Sequence, residues 1–221
     1  MDKTQLRDAA TVIVLRDDAV LMGQRGAHAA FMPGKFVFPG GAVDTADEDV
    51  PVTGLSDLCT ARLHEESTHT PNTLAATAIR ELWEETGQIL GRTASWSNAS
   101  DDWAAFANAG FHPDANGMEF FFRAVTPVGR PRRFDARFFL VDADKLASDP
   151  DDFSTAEDEL SHLQWIPLTE ARKFDLPFIT QVVLAELISH IKVGGPPASV
   201  PFFRNDDEAH LVTRLNGASL L

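Results

Sequence analysis

The amino-acid sequence predicts an α+β fold in which helices pack on a mixed sheet. Three features carry this prediction: short apolar runs near the N-terminus that end at turn residues, two amphipathic helical segments, and further short apolar runs between those segments. The chain has 221 residues, of which 44% are hydrophobic and 24% charged. This length and composition suit one domain with additions and exclude wholesale disorder.

Three strands are predicted at the start of the chain. Residues 11–15 and 19–22 are apolar runs joined by a tight polar turn at Asp17-Asp18, and residues 36–38 form a third run. The tripeptide Pro39-Gly40-Gly41 should end this third run abruptly.

A polar insertion and a helix are predicted next. Residues 44–71 are acidic and have only a weak helical pattern, so we interpret them as an insertion at the rim of the molecule that adds little to the core. A helix is predicted over 74–86, with Asn72 or Thr73 as its N-cap and Gly87 as its stop.

The second half of the chain predicts more strands and a closing helix. The helical stretch over 101–109 precedes strands over 119–125, 136–141 and 163–166, and an amphipathic helix follows over 178–191. One stripe of that helix carries Ile179, Val182, Val183, Leu187 and Ile191. We therefore expect one domain over 8–193 and an irregular C-terminal tail over 194–221.

Charge and cysteine content limit the possible partners. The net charge of −14 disfavours binding to duplex nucleic acid or to an anionic membrane, because the electrostatic interaction would be repulsive. A single cysteine, Cys59, excludes an internal disulfide framework and a four-thiolate zinc site. Neither a secretory signal nor an apolar stretch long enough to span a bilayer is evident, so we expect a cytoplasmic protein. The sequence does not indicate an oligomeric state.

The helix over 74–86 carries the most informative cluster. Glu81, Glu84 and Glu85 fall on one helical edge, where like charges near the negative end of the helix dipole repel one another. Oxygen ligands on a rigid element suit Mg²⁺ or Mn²⁺. Arg80, one turn before Glu84, can hold that carboxylate in place. A solvated acidic helix face is the alternative reading.

The surrounding sequence resembles the Nudix hydrolases, whose box reads G-x5-E-x7-R-E-U-x-E-E-x-G-U. The segment R-E-L-W-E-E-T-G from Arg80 to Gly87 matches its second half, and Phe38-Pro39-Gly40-Gly41 matches its strand end and glycine turn. Gly41 and Arg80 are 39 positions apart where the box allows 14, so 25 residues are inserted. The first glutamate of the box has no clear counterpart, and Asn72 occupies its register when counted from the helix.

The resemblance implies an α/β/α sandwich that hydrolyses a nucleoside diphosphate linked to another moiety. It maps the metal ligands onto Glu81, Glu84 and Glu85, with the Gly41 carbonyl as a backbone ligand and Glu81 as candidate base. In relatives, a carboxylate before a Trp-bearing strand often completes the metal site. Glu159, six residues before Trp165, is best placed for this role and Glu157 is second, while a solvated acidic turn remains the alternative.

An upstream pattern resembles coenzyme A-directed Nudix enzymes, including the branch of the peroxisomal coenzyme A diphosphatases. It runs from Leu21 through Arg25 and Gly34 to the glycine turn, although Ala30 replaces the expected second arginine. The resemblance implies coenzyme A or acyl-coenzyme A as substrate. The candidate residues for its 3′-phosphate are Arg25, Arg132 and Arg133, and those for its pantetheine arm are Phe31 and Met32; ordinary ion pairs and core packing are the alternatives.

Two other functions remain open at this point. ADP-ribose or NADH offers the same diphosphate without the 3′-phosphate. A Nudix domain that senses a ligand without turnover is a second possibility, but the intact glutamates favour catalysis.

Overall fold

A computed structural model describes residues 5–204 and 212–216. The strands and α-helices in these residues are, in chain order, β1 (Leu6–Arg16), β2 (Ala19–Arg25), β3 (Phe36–Val37), β4 (Gly40–Ala42), α1 (Asp57–His64), α2 (Pro71–Thr86), β5 (Gly91–Thr93), α3 (Ala104–Asn108), β6 (Phe111–Pro113), β7 (Glu119–Val125), β8 (Arg133–Asp142), β9 (Leu160–Pro167), α4 (Phe178–Val193), β10 (Val200–Phe203) and β11 (Val212–Leu215). The predicted α+β class is confirmed.

The described strands other than β5 and β6 form one mixed sheet in the order β11-β10-β7-β8-β1-β2-β3. The pairs β1–β8 and β7–β10 are parallel, and the other pairs are antiparallel. Two strands pair with the same edge of β1. Its C-terminal end pairs with β2, whereas residues Ala9 to Thr11 pair with β4. The strand β9 pairs with the other edge of β2. This division places the β4 backbone beside the centre of β1.

The sheet separates two hydrophobic cores. Along β1, Val12 and Val14 are buried on the side of α2, whereas Ile13 is buried on the side of α4. Alternate residues of a strand face opposite sides of a sheet, so this strand supplies both cores. The helix α2 covers one face and α4 covers the other. The result is the α/β/α sandwich that the sequence predicted.

The ends of α2 are fixed by its own side chains and backbone. Thr70 Oγ1 accepts a hydrogen bond from the Thr73 N–H, and Pro71 occupies the first helical position, where its missing N–H is no loss. The predicted N-cap at Asn72 or Thr73 is therefore wrong by two to three residues. Gly87 ends the helix as predicted, with a left-handed φ of 72°.

The prediction that residues 44–71 add little to the core is wrong. They contain α1, whose Cys59 and Leu63 are buried, and Val50 and Val52 are buried before it. The guanidinium of Arg62 donates to the carbonyls of Pro197 and Ala198. The helical pattern was weak because α1 is only 8 residues long, so few of its side chains face inward.

A second attachment joins the end of this insertion to the sheet. Arg123 on β7 donates to the backbone carbonyls of Glu65 and Glu66 and also pairs with Asp135 on β8. Both Arg123 and Asp135 are buried. The segment between α1 and α2 is therefore held by buried charged groups of the central strands.

The prediction of an irregular tail after Gly194 is also wrong in part. β10 adds to the edge of the sheet beside β7, and β11 pairs with β10. Val200 and Phe202 are buried, and the Arg123 guanidinium lies 4.1 Å from the centroid of the Phe202 ring. The residues of the predicted tail over 205–211 and 217–221 lie outside the described residues.

The short strands β5 and β6 were not predicted from the sequence, and neither was β4 at the glycine turn. β5 and β6 form a separate antiparallel pair that flanks the short helical region with Trp103 and Phe106 at its core. None of the helices in residues 5–204 and 212–216 is long and apolar enough to cross a membrane.

Candidate active site

Two of the three glutamates of α2 share one arginine. Arg80 Nη1 donates to Glu81 Oε1 and to Glu84 Oε2, each at 2.9 Å. Glu85 is buried and faces the glycine turn instead. The predicted contact between Arg80 and Glu84 is present, and Arg80 additionally orients Glu81.

The other side of Arg80 is held by Asp47, which the sequence analysis missed. Asp47 is fully buried, and its two carboxylate oxygens accept from Arg80 Nε and Nη2, both at 2.9 Å. Thr77 Oγ1 donates to the same carboxylate at 2.9 Å. Asp47 stands six residues after Gly41, which is the spacing that the Nudix box gives its first glutamate. Counting from the glycine would have found it; Asn72, assigned by counting from the helix, is exposed.

The glycine turn contacts the glutamates through its backbone. The Gly40 N–H donates to Glu85 Oε2 at 2.7 Å. A Cβ atom on Gly41 would lie 2.5 Å from the Glu81 carboxyl carbon, and one on Gly40 would lie 2.6 Å from the Thr11 Cα. Only glycine permits this approach of β1, β4 and α2. The predicted ligand carbonyl of Gly41 therefore belongs to a residue packed directly against Glu81.

Burial of these carboxylates changes their ionisation. Burial raises the pKa of Glu81 to about 7, with Arg80 opposing the shift and Glu84 adding to it. Burial also raises the pKa of Glu84 and, well above its usual range, that of Glu85, where the charge of Glu81 adds to the effect. Crowded carboxylates with raised pKa values are stabilised as anions by a nearby cation.

Glu159 and Glu157 both lie near this cluster. Arg25, at the end of β2, pairs with Leu160 in the sheet, and its Nη2 lies 2.9 Å from Glu159 Oε1. The charge of Glu159 raises the pKa of Glu81 and of Glu85. The Glu157 N–H donates to the Glu84 carbonyl at 2.8 Å, and its charge raises the pKa of Glu84. The choice between these two carboxylates therefore stays open.

The oxygen atoms at this site are of the type that a hard divalent cation prefers as ligands. Carboxylate and backbone oxygens surround the glycine turn, and a side chain on Gly41 would intrude on the Glu81 carboxylate. Among residues 5–204 and 212–216, however, no three His, Cys, Asp or Glu side chains converge as a ready-made metal site. Arg80 Nη1 draws the Glu81 and Glu84 carboxylates to itself, so ligation by three glutamates requires side-chain rotation. Their role as ligands remains a prediction.

The candidate substrate residues fall into two groups: Arg25, and the residues that lie near the start of β8. Arg25 is engaged by Glu159, as an ordinary ion pair would be. Phe31 and Met32 are half-buried and belong to neither core, and the Phe31 ring packs edge-on against Phe134, with centroids 5.1 Å apart. This contact places Phe31 beside the start of β8.

The predicted arginine pair lies at that same strand start. Arg133 Nε donates to the Thr126 carbonyl at 3.1 Å. Arg132 is exposed and has no ion pair or hydrogen bond with any described residue. Phe31, through its contact with Phe134, and the two arginines therefore all lie near the start of β8, with Phe134 and Arg133 on opposite faces of that strand.

Known structures identify the architecture. A crystal structure of a Nudix hydrolase from Alicyclobacillus acidocaldarius matches with a TM-score of 0.64 and 28% identity, covering 85% of this chain and 93% of that chain. The chain has the Nudix hydrolase fold. A MutT protein from Methanosarcina mazei Go1 shares the fold at 13% identity, with a TM-score of 0.52 and coverage of 86% of this chain and 97% of that chain.

Sequence comparison agrees with the Nudix fold. A curated Caenorhabditis elegans protein, provisionally named nudix hydrolase 7, is 29% identical over 192 residues, or 77% of this chain. The chain spans 57% of the length of that relative. No protein family model matches the chain. The two relatives above 25% identity both carry Nudix hydrolase names, and both likenesses agree with the fold.

Proposed function

We propose that the protein is a Nudix diphosphatase that uses Mg²⁺ or Mn²⁺ to hydrolyse coenzyme A or acyl-coenzyme A at its diphosphate. The observation that carries the proposal is the placement of Glu81 and Glu85 against the Gly40-Gly41 backbone, with Glu84 bound to the same arginine as Glu81. The small substrate is a nucleotide derivative, in keeping with the unfavourable overall charge for nucleic acid.

Each residue has a proposed role in the reaction. A bound divalent ion would neutralise phosphate oxygens and help to activate water. Glu85 is oriented by the Gly40 N–H, and Arg80 orients Glu81 and Glu84. Glu81 lies against the Gly41 backbone and is our candidate to take the proton of the attacking water. Glu159, whose charge acts on both Glu81 and Glu85, is proposed to complete the oxygen cluster.

The surface around Phe31 supports coenzyme A as the substrate. Coenzyme A carries an adenosine 3′-phosphate, which requires a cation, and a pantetheine arm, which requires apolar surface. Arg132 is an exposed arginine without a described partner, and Phe31 packs beside the same strand start. We therefore assign the 3′-phosphate to Arg132 and Arg133, and the pantetheine arm to Phe31 and Met32. Arg25, which is paired with Glu159, is a weaker candidate for the phosphate.

The proposal is tested by comparing kcat/KM for coenzyme A, its 3′-dephospho form, ADP-ribose and NADH. We expect coenzyme A to be preferred, and we expect Arg132→Gln to reduce that preference over the dephospho form about tenfold. Arg130→Gln is a matched control, because it removes an exposed arginine from the same loop. A tenfold preference for ADP-ribose would overturn the coenzyme A assignment and leave the diphosphatase intact. Absence of hydrolysis of all four compounds with Mg²⁺ or Mn²⁺ would favour a ligand-sensing domain.

A further inference from the structure

A cavity of about 540 Å³ is lined by Ala46 and Asp49, which flank the buried Asp47 in sequence. Its lining comes from the start of the insertion, the loop after β5, and His112 on β6. Ala46 lines the cavity, and the next residue, Asp47, is the buried partner of Arg80. The cavity therefore lies next to the proposed active site but is lined by different residues.

The backbone holds the two walls in place. Arg92 and His112 are directly paired across β5 and β6, so their side chains project from the same face. The insertion is attached to the end of this strand pair, since Thr53 bridges to Asp114 and the Ala115 N–H donates to the Thr53 carbonyl at 2.7 Å. Pockets that bind small molecules are usually largely preformed in this way.

One wall of the cavity is aromatic. The Trp96 ring lies 4.8 Å from the His112 ring and 5.6 Å from the Trp103 ring, measured between centroids. His112 Nδ1 and Trp103 Nε1 are buried and have no hydrogen-bond partner among the described residues. Buried polar atoms in folded proteins nearly always have a partner, so His112, which lines the cavity, has unused hydrogen-bonding capacity beside the Trp96 ring, whereas Trp103 packs against Trp96 without lining the cavity.

The rim of the cavity offers a cation. Arg92 is exposed, and its guanidinium has no ion pair or hydrogen bond with any residue that the structure describes. An arginine left unpaired in a chain of net charge −14 is available to an anionic ligand. The nearby serine and asparagine side chains, including Ser97 and Asn98, add neutral polar groups.

We propose that this cavity is a second binding site, which takes a phosphorylated nucleoside with its base against Trp96 and His112 and its phosphate on Arg92. The volume lies within the range of about 300–1,000 Å³ that is common for small-molecule pockets. Flat heteroaromatic bases stack on aromatic side chains. The site does not depend on the diphosphatase reaction, because its residues are separate from the glutamates and from the Phe31 surface.

The experiment measures binding of AMP by calorimetry in EDTA, so that loss of metal-dependent catalysis cannot affect the result. We expect AMP to bind the parent protein, and Arg92→Glu and Ser97→Glu each to weaken binding at least tenfold. Both substitutions change exposed residues and should spare the fold. Arg172→Glu is the matched control for Arg92→Glu, since it makes the same charge change at an exposed residue outside the cavity lining.

Probes that lack one part of AMP test the assigned chemistry. Adenosine, without the phosphate, and ribose 5-phosphate, without the base, should each bind at least tenfold more weakly than AMP. Adenosine 3′,5′-bisphosphate tests whether the site accepts a product of coenzyme A cleavage. The site would be supported if this compound binds more tightly than AMP and if Arg92→Glu abolishes its binding. Absence of AMP binding at millimolar concentration, or equal binding by the parent and Arg92→Glu, would overturn the proposal.

Discussion

Asp47 and Arg80 form a buried, two-pronged ion pair although they are 33 residues apart in sequence. Burial alone would lower the pKa of Arg80, but the hydrogen bonds that it donates to Asp47 and the charges of Glu81, Asp47 and Glu84 outweigh this effect and raise the pKa. The guanidinium therefore stays charged while it contacts Glu81 and Glu84. The pair couples the insertion to the side chains of the proposed active site.

Replacing Asp47 with Asn should destabilise the fold and reduce turnover together. Breaking one partner of a buried pair typically costs about 3–5 kcal/mol, because it leaves a buried charge uncompensated. Arg80 would then no longer be held against Glu81 and Glu84. Thermal unfolding and kcat measure the two effects, with Glu48→Gln as an exposed control one residue away. A melting temperature within one degree of the parent would contradict the importance of the pair.

Glu84→Gln and Glu85→Gln should each lower kcat by roughly two orders of magnitude or more, since each removes a proposed anionic ligand. The fold should remain, because an amide has nearly the same shape. Without metal, the melting temperature should rise, because repulsion among the carboxylates is relieved. Activity close to that of the parent in saturating Mg²⁺ would show that the metal site is elsewhere.

Glu159→Gln should raise the Mg²⁺ concentration required for half-maximal activity about tenfold or more, and Glu157→Gln should change it less. The reason is that Glu159 influences both Glu81 and Glu85, whereas Glu157 influences only Glu84. Metal titrations of the two variants provide the comparison. The reverse order would identify Glu157 as the completing carboxylate.

Deleting residues 49–68 should abolish the cooperative unfolding transition. The deletion removes α1 with its buried Cys59 and Leu63, together with the contacts of Arg62. A milder test is Arg62→Gln, which should lower the free energy of unfolding by about 2 kcal/mol by leaving buried carbonyls unpaired. His64→Gln, at the exposed end of α1, is the control. Normal cooperative unfolding of the deletion variant would show that residues 49–68 form a peripheral loop.

The pH dependence of stability should reveal Glu81 in the metal-free protein. Burial raises the pKa of this carboxyl from 4.5 to about 7, so the folded state binds more protons between these values than the unfolded state. The stability that Glu81 contributes is therefore present below about pH 4.5 and is lost as the pH rises to about 7. In EDTA, the melting temperature of Glu81→Gln relative to the parent should increase by several degrees from pH 5 to pH 8, and Mg²⁺ should diminish this gain. An equal difference at both pH values would contradict the effect.

The longer strands and helices could be predicted because their patterns of apolar and polar residues are strong. β7 has the predicted bounds, and the predicted range of α4 falls two residues short of its end. β10 was missed because a strand of four residues that contains Pro201 gives almost no periodic signal. The Cys59 thiol is buried, and burial raises its pKa to about 12.

The site could be predicted only in part. Glu81, Glu84 and Glu85 share a helix, so their proximity follows from helical spacing. The partnership of Asp47 with Arg80 and the cavity beside Trp96 depend on how the insertion folds back onto α2 and β6. Such contacts between distant segments have no local signature, and a count of residues from Gly41 was the one available signal for Asp47.

The buried pair at Arg80 explains how the Nudix box tolerates a detour of 25 residues. Closing a flexible loop costs entropy that grows only with the logarithm of its length, about 0.6 kcal/mol for each doubling. Two chain ends clamped by one strong contact can therefore be joined by a short or a long path at nearly the same free energy. Residues can therefore be inserted after Asp47 at a small cost in folding free energy. The inserted residues can then pack against the rest of the protein and form new surface.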